Sequence, residues 1–473
     1  MTRSSTSTTS RANWFGALAL AATLSWTAEG RAQEPEPSPS PEPAAAPTPP
    51  PAVAKAKPRV RRKPVTPWLL SATLDVYAGG SYQTFKESTP FNPGNNVYRL
   101  SKQQGFLQLR SNDLYRYGPV TFEVRPRGAY YGRTEPETIP QEASKKTYSE
   151  IYSNESFVQI DFSKSARLVV GRNNFQWGPA ELLSPSNFLF PDLIVKPEPY
   201  YEVKGLTIAR FNYTAGPWTW VTIAELQPLK DYSYEIDPNY QEISQQRLIT
   251  KIETTFNGDA DAVGITLGSR VRDEKTMPLG GLYATYTPSD AWQVYTDTLL
   301  GQGSDTPEIT DQGVSFARAS DGKLYVFSLA GVRYTFVDGT EVRLEVIRNQ
   351  FGFSRDEQSK LLDAMKTGGI AQLAALGVAH SQRSPLYGQN YVYGAVRWLG
   401  PARFLGVFQS PIVALRGLYS VDDGSSSVFS TFEGGLSDHM TFYAFAGATS
   451  GAEDTDLRRL TDGSGGIALK YSF

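Results

Sequence analysis

From Trp68 to Phe473 the chain consists of short stretches in which apolar and polar residues alternate, separated by turn-forming residues. Because successive side chains of a β-strand point to opposite faces, this period of two predicts strands that are apolar on one face only. About 18 strands are predicted, an even number typical of transmembrane barrels. Their predicted bounds are 68–80, 104–117, 119–131, 148–162, 166–174, 203–214, 217–226, 248–256, 260–272, 278–287, 291–301, 323–337, 340–353, 389–399, 412–421, 426–436, 440–449 and 465–473.

The links between these stretches alternate in length. Very short links, such as 117–119, 215–216, 257–259 and 338–339, follow the even-numbered strands, whereas the other links are mostly long. Outer-membrane barrels have short periplasmic turns and longer extracellular loops. The alternation therefore predicts an all-β fold at 68–473, a transmembrane antiparallel β-barrel in the cell outer membrane.

The two faces of each predicted strand differ in chemistry, with an apolar face for lipid and a polar face for the lumen. The basic residues assigned to the lumen are Arg110, Arg125, Arg127, Arg210, Lys251, Arg270, Arg333, Arg343, Arg397, Arg416 and Lys470. The acidic residues assigned there are fewer: Glu123, Glu253, Glu341 and Glu345. Two interpretations stay open. The lumen is electropositive and selects anions, as rings of Arg and Lys do in anion pores, or neighbouring Glu and Arg residues pair and serve only as a scaffold.

The stretch 171–200 is unlike the strands around it. Its prolines exclude a continuous strand or a long helix, and they are Pro179, Pro185, Pro191, Pro197 and Pro199. Its many apolar and aromatic residues would make a poor solvent-exposed loop. Irregular backbone at membrane depth is tolerated only where protein or water satisfies its polar groups. The stretch is therefore predicted to fold back into the lumen and narrow it.

The candidate residues for this constriction, or for ligand binding within it, are Arg172, Phe175, Trp177, Glu181, Phe188 and Asp192. We expect Arg172 or a neighbouring wall arginine to pair with Glu181 or Asp192, because arginine and carboxylate form strong, geometrically specific pairs. Such a pair would hold the stretch against the wall. A catalytic Arg172–Glu181 pair is the weaker alternative.

One long loop has a helical pattern of its own. Ser354 and Glu357 have the spacing of a capping box, and 357–365 is predicted as a short helix. The pair Gly368-Gly369 ends it, and 370–377 is compatible with a second turn or two. The loop is expected either to cover the barrel or to pack only on itself.

The region before the barrel has two parts. Residues 1–32 are predicted to be a secretory signal, because two arginines precede an apolar run at 14–26 that is too short to span a membrane comfortably; a single membrane anchor is the alternative. Residues 33–67 form a proline-rich periplasmic linker with a basic end. The linker is either a solubilising spacer or a basic arm that contacts a periplasmic export protein or the cell wall.

Composition removes several classes of function. The chain has no Cys and only two His, so thiol chemistry, zinc–cysteine sites and most metal sites are not expected, and no cofactor is predicted. His380 falls in a long loop and His439 in a predicted turn, so neither is placed for a catalytic triad, and we expect no enzyme. A net charge of -2 argues against nucleic acid as a partner.

Two stretches resemble known families. The last strand, which ends in Phe473 with Tyr471 two residues earlier, resembles the carboxyl-terminal assembly signature of Gram-negative outer-membrane barrels. The elements Gly171-Arg172, Trp177-Gly178-Pro179 and Leu182-Leu183-Ser184, with Asn187 and Pro191, resemble the central motif of the Wzi-like capsule-assembly barrels. The chain departs from that motif at Ala180, where the family usually has Gly, and in Ser184-Pro185-Ser186.

The resemblance implies an 18-stranded barrel that exports a capsular polysaccharide or exopolysaccharide, or attaches it at the cell surface. Aromatic residues such as Phe175 and Trp177 could then serve as a platform for sugars. The alternative is a general diffusion porin with a modest anion preference, in which the stretch 171–200 is only a constriction.

Overall fold

One closed antiparallel sheet forms the wall of the protein. The computed structural model describes residues 68–473 except 87, 99, 135–146, 190–199, 201, 203–204, 228–246, 259, 273–274, 305, 311–312, 319–321 and 382–385. The predicted signal and linker, and Asp192, lie outside the described residues.

The strands and helices have the following bounds. The strands are β1 (Trp68–Thr84), β2 (Gln103–Tyr117), β3 (Val120–Arg133), β4 (Thr147–Asp161), β5 (Ala166–Asn173), β6 (Leu206–Ala215), β7 (Trp218–Gln227), β8 (Arg247–Phe256), β9 (Asp261–Arg272), β10 (Lys275–Ser289), β11 (Trp292–Gln302), β12 (Pro307–Thr310), β13 (Gly313–Arg318), β14 (Leu324–Thr335), β15 (Glu341–Asn349), β16 (Asn390–Leu399), β17 (Arg403–Phe404), β18 (Phe408–Ser420), β19 (Ser426–Gly435), β20 (Met440–Ser450) and β21 (Gly463–Ser472). The helices are α1 (Arg355–Thr367) and α2 (Gly369–Ser381), and single 3-10 turns lie at Pro93–Asn95 and Asp456–Arg458. No helix in the described ranges is long and apolar enough to cross a membrane.

The wall closes on itself. Consecutive strands pair antiparallel from β1 to β11, the chain then pairs β11 with β14 and β16 with β18, and β21 returns to β1. At this closure Lys470 stands opposite Tyr77, and the Phe473 N–H donates to the Leu74 carbonyl at 3.0 Å. Leaving out β12 and β13, which form a separate hairpin, and the two-residue β17, the wall has 18 strands. The predicted fold class is therefore confirmed.

The outer face of this wall is apolar. Leu267 is 60 % exposed and Leu344 is 49 % exposed, although both lie in the middle of paired strands. Large aromatic side chains are exposed near the short turns, and they include Tyr117, Phe162, Trp218, Phe256, Tyr286, Trp292 and Phe336. Such a belt is the arrangement that a barrel presents to the hydrocarbon and interface of a bilayer.

The long loops pack together on the opposite rim. The predicted capping box forms, with the Ser354 side chain accepting from the Glu357 N–H and the Glu357 carboxylate accepting from the Ser354 N–H. The helix pair is longer than predicted, and the β12–β13 hairpin was not predicted. Buried side chains of this cluster come from both helices, the hairpin and two neighbouring loops: Phe91, Ile309, Phe353, Leu361, Met365, Val378 and Tyr387.

Candidate functional site: a segment across the barrel lumen

The connection between β5 and β6 folds into the lumen, as predicted. We call its described first part, residues 174–189, the inward segment. Trp177, Phe188 and Leu189 pack against lumen-facing residues of β6–β11. Leu182 and Leu183 pack against lumen-facing residues of β11, β14, β15 and β16. The apolar composition of the segment is thus satisfied by the inner wall rather than by lipid.

The inward segment crosses the lumen. Near its end, the Phe188 carbonyl accepts from Arg247 Nη1 on β8 at 2.5 Å. Nearer its start, Glu181 pairs with Arg416 on β18, with Nε and Oε1 2.9 Å apart. Six wall strands, β9–β11 and β14–β16, separate β8 from β18. A chain bound at both points must span the interior between well-separated parts of the wall.

A buried aspartate fixes the middle of the segment. Asp297 of β11 is fully buried, and its two carboxylate oxygens accept from the Ser184 hydroxyl and the Ser186 N–H, each at 2.7 Å. Gly178 lies beside this pair with φ of 96°, and a Cβ there would overlap the Ser184 hydroxyl and the Asp297 carboxylate. The sequence contains a signal for this anchor, since Asp297 is a carboxylate between Tyr295 and Leu299 on the inward face of its strand. Asp297 was not among the predicted lumen residues.

At Glu181 the segment is held by two further carboxylates, that of Glu345 in the wall and that of Glu181 itself. Its N–H donates to Glu345 Oε1 at 3.0 Å, and that same oxygen accepts from the Tyr295 hydroxyl at 2.7 Å. The Glu181 carboxylate lies between two wall arginines, since Arg343 Nε is 3.4 Å from Oε2 in addition to the Arg416 contact. Glu181 is therefore held by the wall through both its backbone and its side chain.

Arg172 has a different position from the one its candidate role requires. It shares the strand face of Val170, which is 38 % exposed on the outside of the wall, because Val169 and Asn173 occupy the buried inward positions of β5. Its Nη1 donates to the Ser153 carbonyl at 3.0 Å. The wall arginines at Glu181 are Arg343 and Arg416, which are themselves two of the predicted lumen residues.

A cavity lies on each side of the inward segment. The first, about 520 Å³, is bounded by segment residues 175–179 and by wall positions near the short turns, including Thr219 and Ala262. The second, about 480 Å³, is bounded by Leu182 and Leu183 and by wall positions near the long loops. The segment therefore separates a periplasmic-side cavity from an extracellular-side cavity.

The periplasmic-side cavity presents donors beside aromatic rings. The Arg210 guanidinium lies 4.1 Å from the Phe175 ring centroid, and its Nε has no hydrogen-bond partner. The Trp177 Nε1, buried in the same lining, also has none. Lys251 Nζ is already engaged, at 3.1 Å from Glu253 and 3.0 Å from the Tyr283 hydroxyl. A guanidinium that lines the cavity beside an aromatic ring, without a carboxylate partner among the described residues, could receive an anionic solute.

The lumen charges are more balanced than the strand faces suggested. Further carboxylates lie at inward positions: Asp75, Glu150, Glu155, Asp161, Glu225, Asp297 and Glu433. Most of the predicted lumen arginines are paired with carboxylates, namely Arg110, Arg125, Arg127, Arg333, Arg343 and Arg416. This corrects the expected shortage of acids and favours the scaffold interpretation for those residues.

A few lumen cations are different. Arg210, Arg397 and Lys470 have no carboxylate within ion-pair distance among the described residues. The Arg270 side chain lies outside the described part. Within the described ranges, no group of acidic or histidine side chains is arranged to hold a metal ion. Any preference for anions must therefore come from a small number of cations.

Comparisons with known proteins bear on the fold. No family model matches the chain, and no curated protein does. Among solved structures, the chain is similar to OccAB1 of Acinetobacter baumannii, with 9 % identity, a TM-score of 0.52 and coverage of 85 % of this chain and 96 % of that one. It also aligns with OccK2 (OpdF) of Pseudomonas aeruginosa in complex with glucuronate, at 12 % identity, a TM-score of 0.46 and coverage of 85 % and 97 %. A BenF-like porin from Pseudomonas fluorescens Pf-5 aligns at 8 % identity, with a TM-score of 0.46 and coverage of 85 % and 97 %.

The likeness to OccAB1 extends over nearly the whole of that chain and is one of fold. Together with the closed wall of 18 strands and its apolar outer face, it shows an outer-membrane β-barrel.

Proposed function

We propose that the protein is a diffusion porin that admits small solutes, with a modest preference for anions. The observation that carries this proposal is the inward segment, which crosses the lumen and has a solute-sized cavity on each side. Cavities of about 300 to 1,000 Å³ suit single small molecules. The anion preference rests on Arg210. Its guanidinium lines the periplasmic-side cavity and has no carboxylate partner in the described part of the chain.

Polysaccharide export or surface assembly is the second candidate. Its support is the tilted Phe175–Trp177 ring pair, with centroids 5.6 Å apart, which could stack against sugar rings. A polymer would require the inward segment to leave the lumen, although that segment is held by Asp297, Glu345, Arg343 and Arg416. The porin is therefore preferred.

Two accompanying expectations are part of the proposal. We assign no catalysis to Glu181, because its carboxylate is already bound by Arg343 and Arg416. The basic end of the linker 33–67 remains a candidate contact for a periplasmic export protein or the cell wall, and it lies outside the described residues.

Planar-bilayer recording tests the proposal. The wild-type chain is compared with a variant in which residues 177–189 are replaced by a Gly-Ser linker of equal length. If the protein is a porin, the wild type should conduct ions, and its reversal potential in asymmetric KCl should have the sign that indicates a preference for chloride. The variant should have a several-fold larger conductance. A wild-type channel selective for cations would contradict the anion preference, and equal conductance in the two proteins would contradict the constriction.

The same variant separates the two candidates in cells. If the protein exports or attaches a polysaccharide, the linker variant should lose capsule or exopolysaccharide staining while the barrel remains in the outer membrane. Normal staining together with raised conductance would leave the porin as the better account.

A further inference from the structure

A small hairpin lies on the outside of the barrel at the rim that carries the short turns. We call residues 403–408 the rim hairpin. Arg403 stands opposite Gln409 and Phe404 opposite Phe408, so β17 and the start of β18 form its two arms. The Val407 N–H donates to the Phe404 carbonyl at 3.2 Å and closes the turn. The rim hairpin is therefore an ordered element rather than an irregular link.

The rim hairpin packs on the outer face of the wall. The Phe408 ring lies 4.9 Å from Phe432 and 5.8 Å from Phe442, centroid to centroid. Phe442 stands opposite Leu469, which is 44 % exposed on the lipid side. A Cβ at Gly434 would lie only 2.9 Å from the Phe408 ring, so that glycine makes room for it. The hairpin is thus continuous with the surface that faces lipid.

The tip of the rim hairpin is apolar and exposed. Leu405 is 76 % exposed and Val407 is 58 % exposed. The Arg403 side chain is also exposed, at the foot of the same hairpin. An exposed apolar tip and a nearby cation are the two features that a phospholipid can satisfy, the first through its acyl chains and the second through its phosphate.

The backbone of the tip supports the same conclusion. Leu405 and Gly406 have φ of 51° and 70°, a left-handed pair that favours Asn-Gly and is unfavourable for leucine. The turn after β8 has the same pair of conformations, with φ of 53° and 63°, and there the residues are Asn257 and Gly258. At the rim hairpin the same strained conformation is thus occupied by an exposed leucine, which gains nothing from that position in water.

We propose that the rim hairpin is an interfacial anchor that binds phospholipid of the periplasmic leaflet, with Leu405 and Val407 among the acyl chains and Arg403 at the phosphate. The hairpin would fix the depth and tilt of this side of the barrel. This role is independent of what passes through the lumen.

Site-directed labelling tests the anchor cleanly, because the chain has no cysteine of its own. The variant Leu405→Cys carries a bimane label, and Asn257→Cys carries the same label at the other left-handed turn. Both full-length proteins are reconstituted into vesicles of phosphatidylglycerol and phosphatidylethanolamine, with or without acyl-brominated lipid. We expect several-fold stronger quenching by brominated lipid at position 405 than at position 257, with a blue-shifted emission.

Equal quenching at the two positions would overturn the proposal. Quenching at position 405 that depends on the protein-to-lipid ratio, and not on bromination, would indicate contact between two copies of the chain and would overturn it as well.

A second variant removes the dependence on the label. Leu405→Asn relieves the backbone strain, so in a water-exposed turn it should raise the urea midpoint for unfolding from vesicles. The anchor predicts the opposite, a lower midpoint, because the apolar contact with lipid is lost. A raised midpoint would overturn the proposal even if the labelled protein failed to fold.

Discussion

Glu181 of the inward segment lies between Arg416 and Arg343 of the wall, at 2.9 Å and 3.4 Å, so one carboxylate ties the segment to two strands, β15 and β18. All three side chains are at least four-fifths buried. Removing the carboxylate leaves Arg416 without a carboxylate partner among the described residues, whereas Arg343 keeps Glu341, with Nε and Oε1 2.6 Å apart. Leaving one buried charge unpaired costs more than the pair as a whole contributes to stability.

Glu181→Ala should therefore release the inward segment from the wall. We expect a loss of about 2 to 3 kcal/mol in the stability of the segment's docking. Phe188→Leu should cost only about 1 kcal/mol, because a buried apolar contact is trimmed rather than abolished. Limited proteolysis within 174–189, together with open-channel noise, measures the release.

Asp161→Asn is the matched control for this prediction. Asp161 pairs with Arg167 at 2.8 Å near the periplasmic rim, and among the described residues it does not contact the inward segment. Protection of the segment should be unchanged in this variant. If Glu181→Ala leaves proteolysis at the level of Asp161→Asn, the ion pairs do not hold the segment.

Gly178 provides a steric test of the same docking. Gly178→Ala adds a Cβ where the Ser184 hydroxyl and the Asp297 carboxylate meet, at a φ of 96° that side chains rarely adopt. The segment should lose its Asp297 anchor, at a cost of more than about 2 kcal/mol. The measurement is the urea midpoint in vesicles and the single-channel conductance, which should rise.

Gly216→Ala separates the clash from the backbone strain. Gly216 has φ of 58° and no atom within 4 Å of its added Cβ. Only the left-handed strain applies there, about 1 kcal/mol, with no change in conductance. Equal effects of the two substitutions would show that the Ser184–Asp297 contact is not what Gly178 protects.

The wall could be predicted from the sequence because its signals are local. The period of two and the lengths of the links are properties of neighbouring residues, so each of the 18 wall strands was located to within a few residues. The inward folding of 174–189 could also be predicted, since prolines and aromatic residues together leave few other environments. The wall residues that bind the segment, such as Arg247 at the Phe188 carbonyl, come from strands that are distant in the sequence, so they could not be predicted.

The errors have equally physical causes. A register shift between Val124 and Pro126 in the β3–β4 pair breaks the simple alternation of inward and outward residues. Strict alternation therefore leaves Glu155 out of the lumen, although it pairs with Arg125. The rim hairpin has Leu405-Gly406 at its tip, which is not a turn signature, so β17 was missed. Arg172 was assigned by its proximity in sequence to Glu181, whereas the parity of β5 gives it the other face.

The carboxyl-terminal strand yields a prediction about assembly. Phe473 donates its N–H to Leu74 at 3.0 Å, and its ring lies 4.8 Å from Tyr471, centroid to centroid. Deleting Phe473 removes the last contact of the closing pair β1–β21, and insertion should become slow or incomplete. The fraction of protein that runs at the folded, heat-modifiable position when samples are loaded on a gel without heating measures insertion. Normal insertion of the truncated chain would contradict the resemblance of this strand to an assembly signature.

The last prediction concerns solute binding at the periplasmic-side cavity. Arg210 and Trp177 line this cavity together with the Phe175 ring, so an organic anion with a ring should bind there better than chloride. We expect benzenesulfonate added on the periplasmic side to block single-channel current, and Arg210→Gln to weaken that block several-fold. Trp177→Phe keeps the ring but removes the donor, and it should weaken the block by a smaller factor.

Arg397→Gln is the control that distinguishes an anion-binding site at Arg210 from the overall electrostatic field of the lumen. Arg397 is a lumen-facing arginine that does not line this cavity and, in the described part of the chain, has no carboxylate partner. Both substitutions remove one positive charge, so both should shift the reversal potential toward cations. Only Arg210→Gln should change the affinity of the block, because only Arg210 can contact the bound anion. An equal change in block for the two variants would place the selectivity in the overall charge of the lumen and not in the cavity beneath the inward segment.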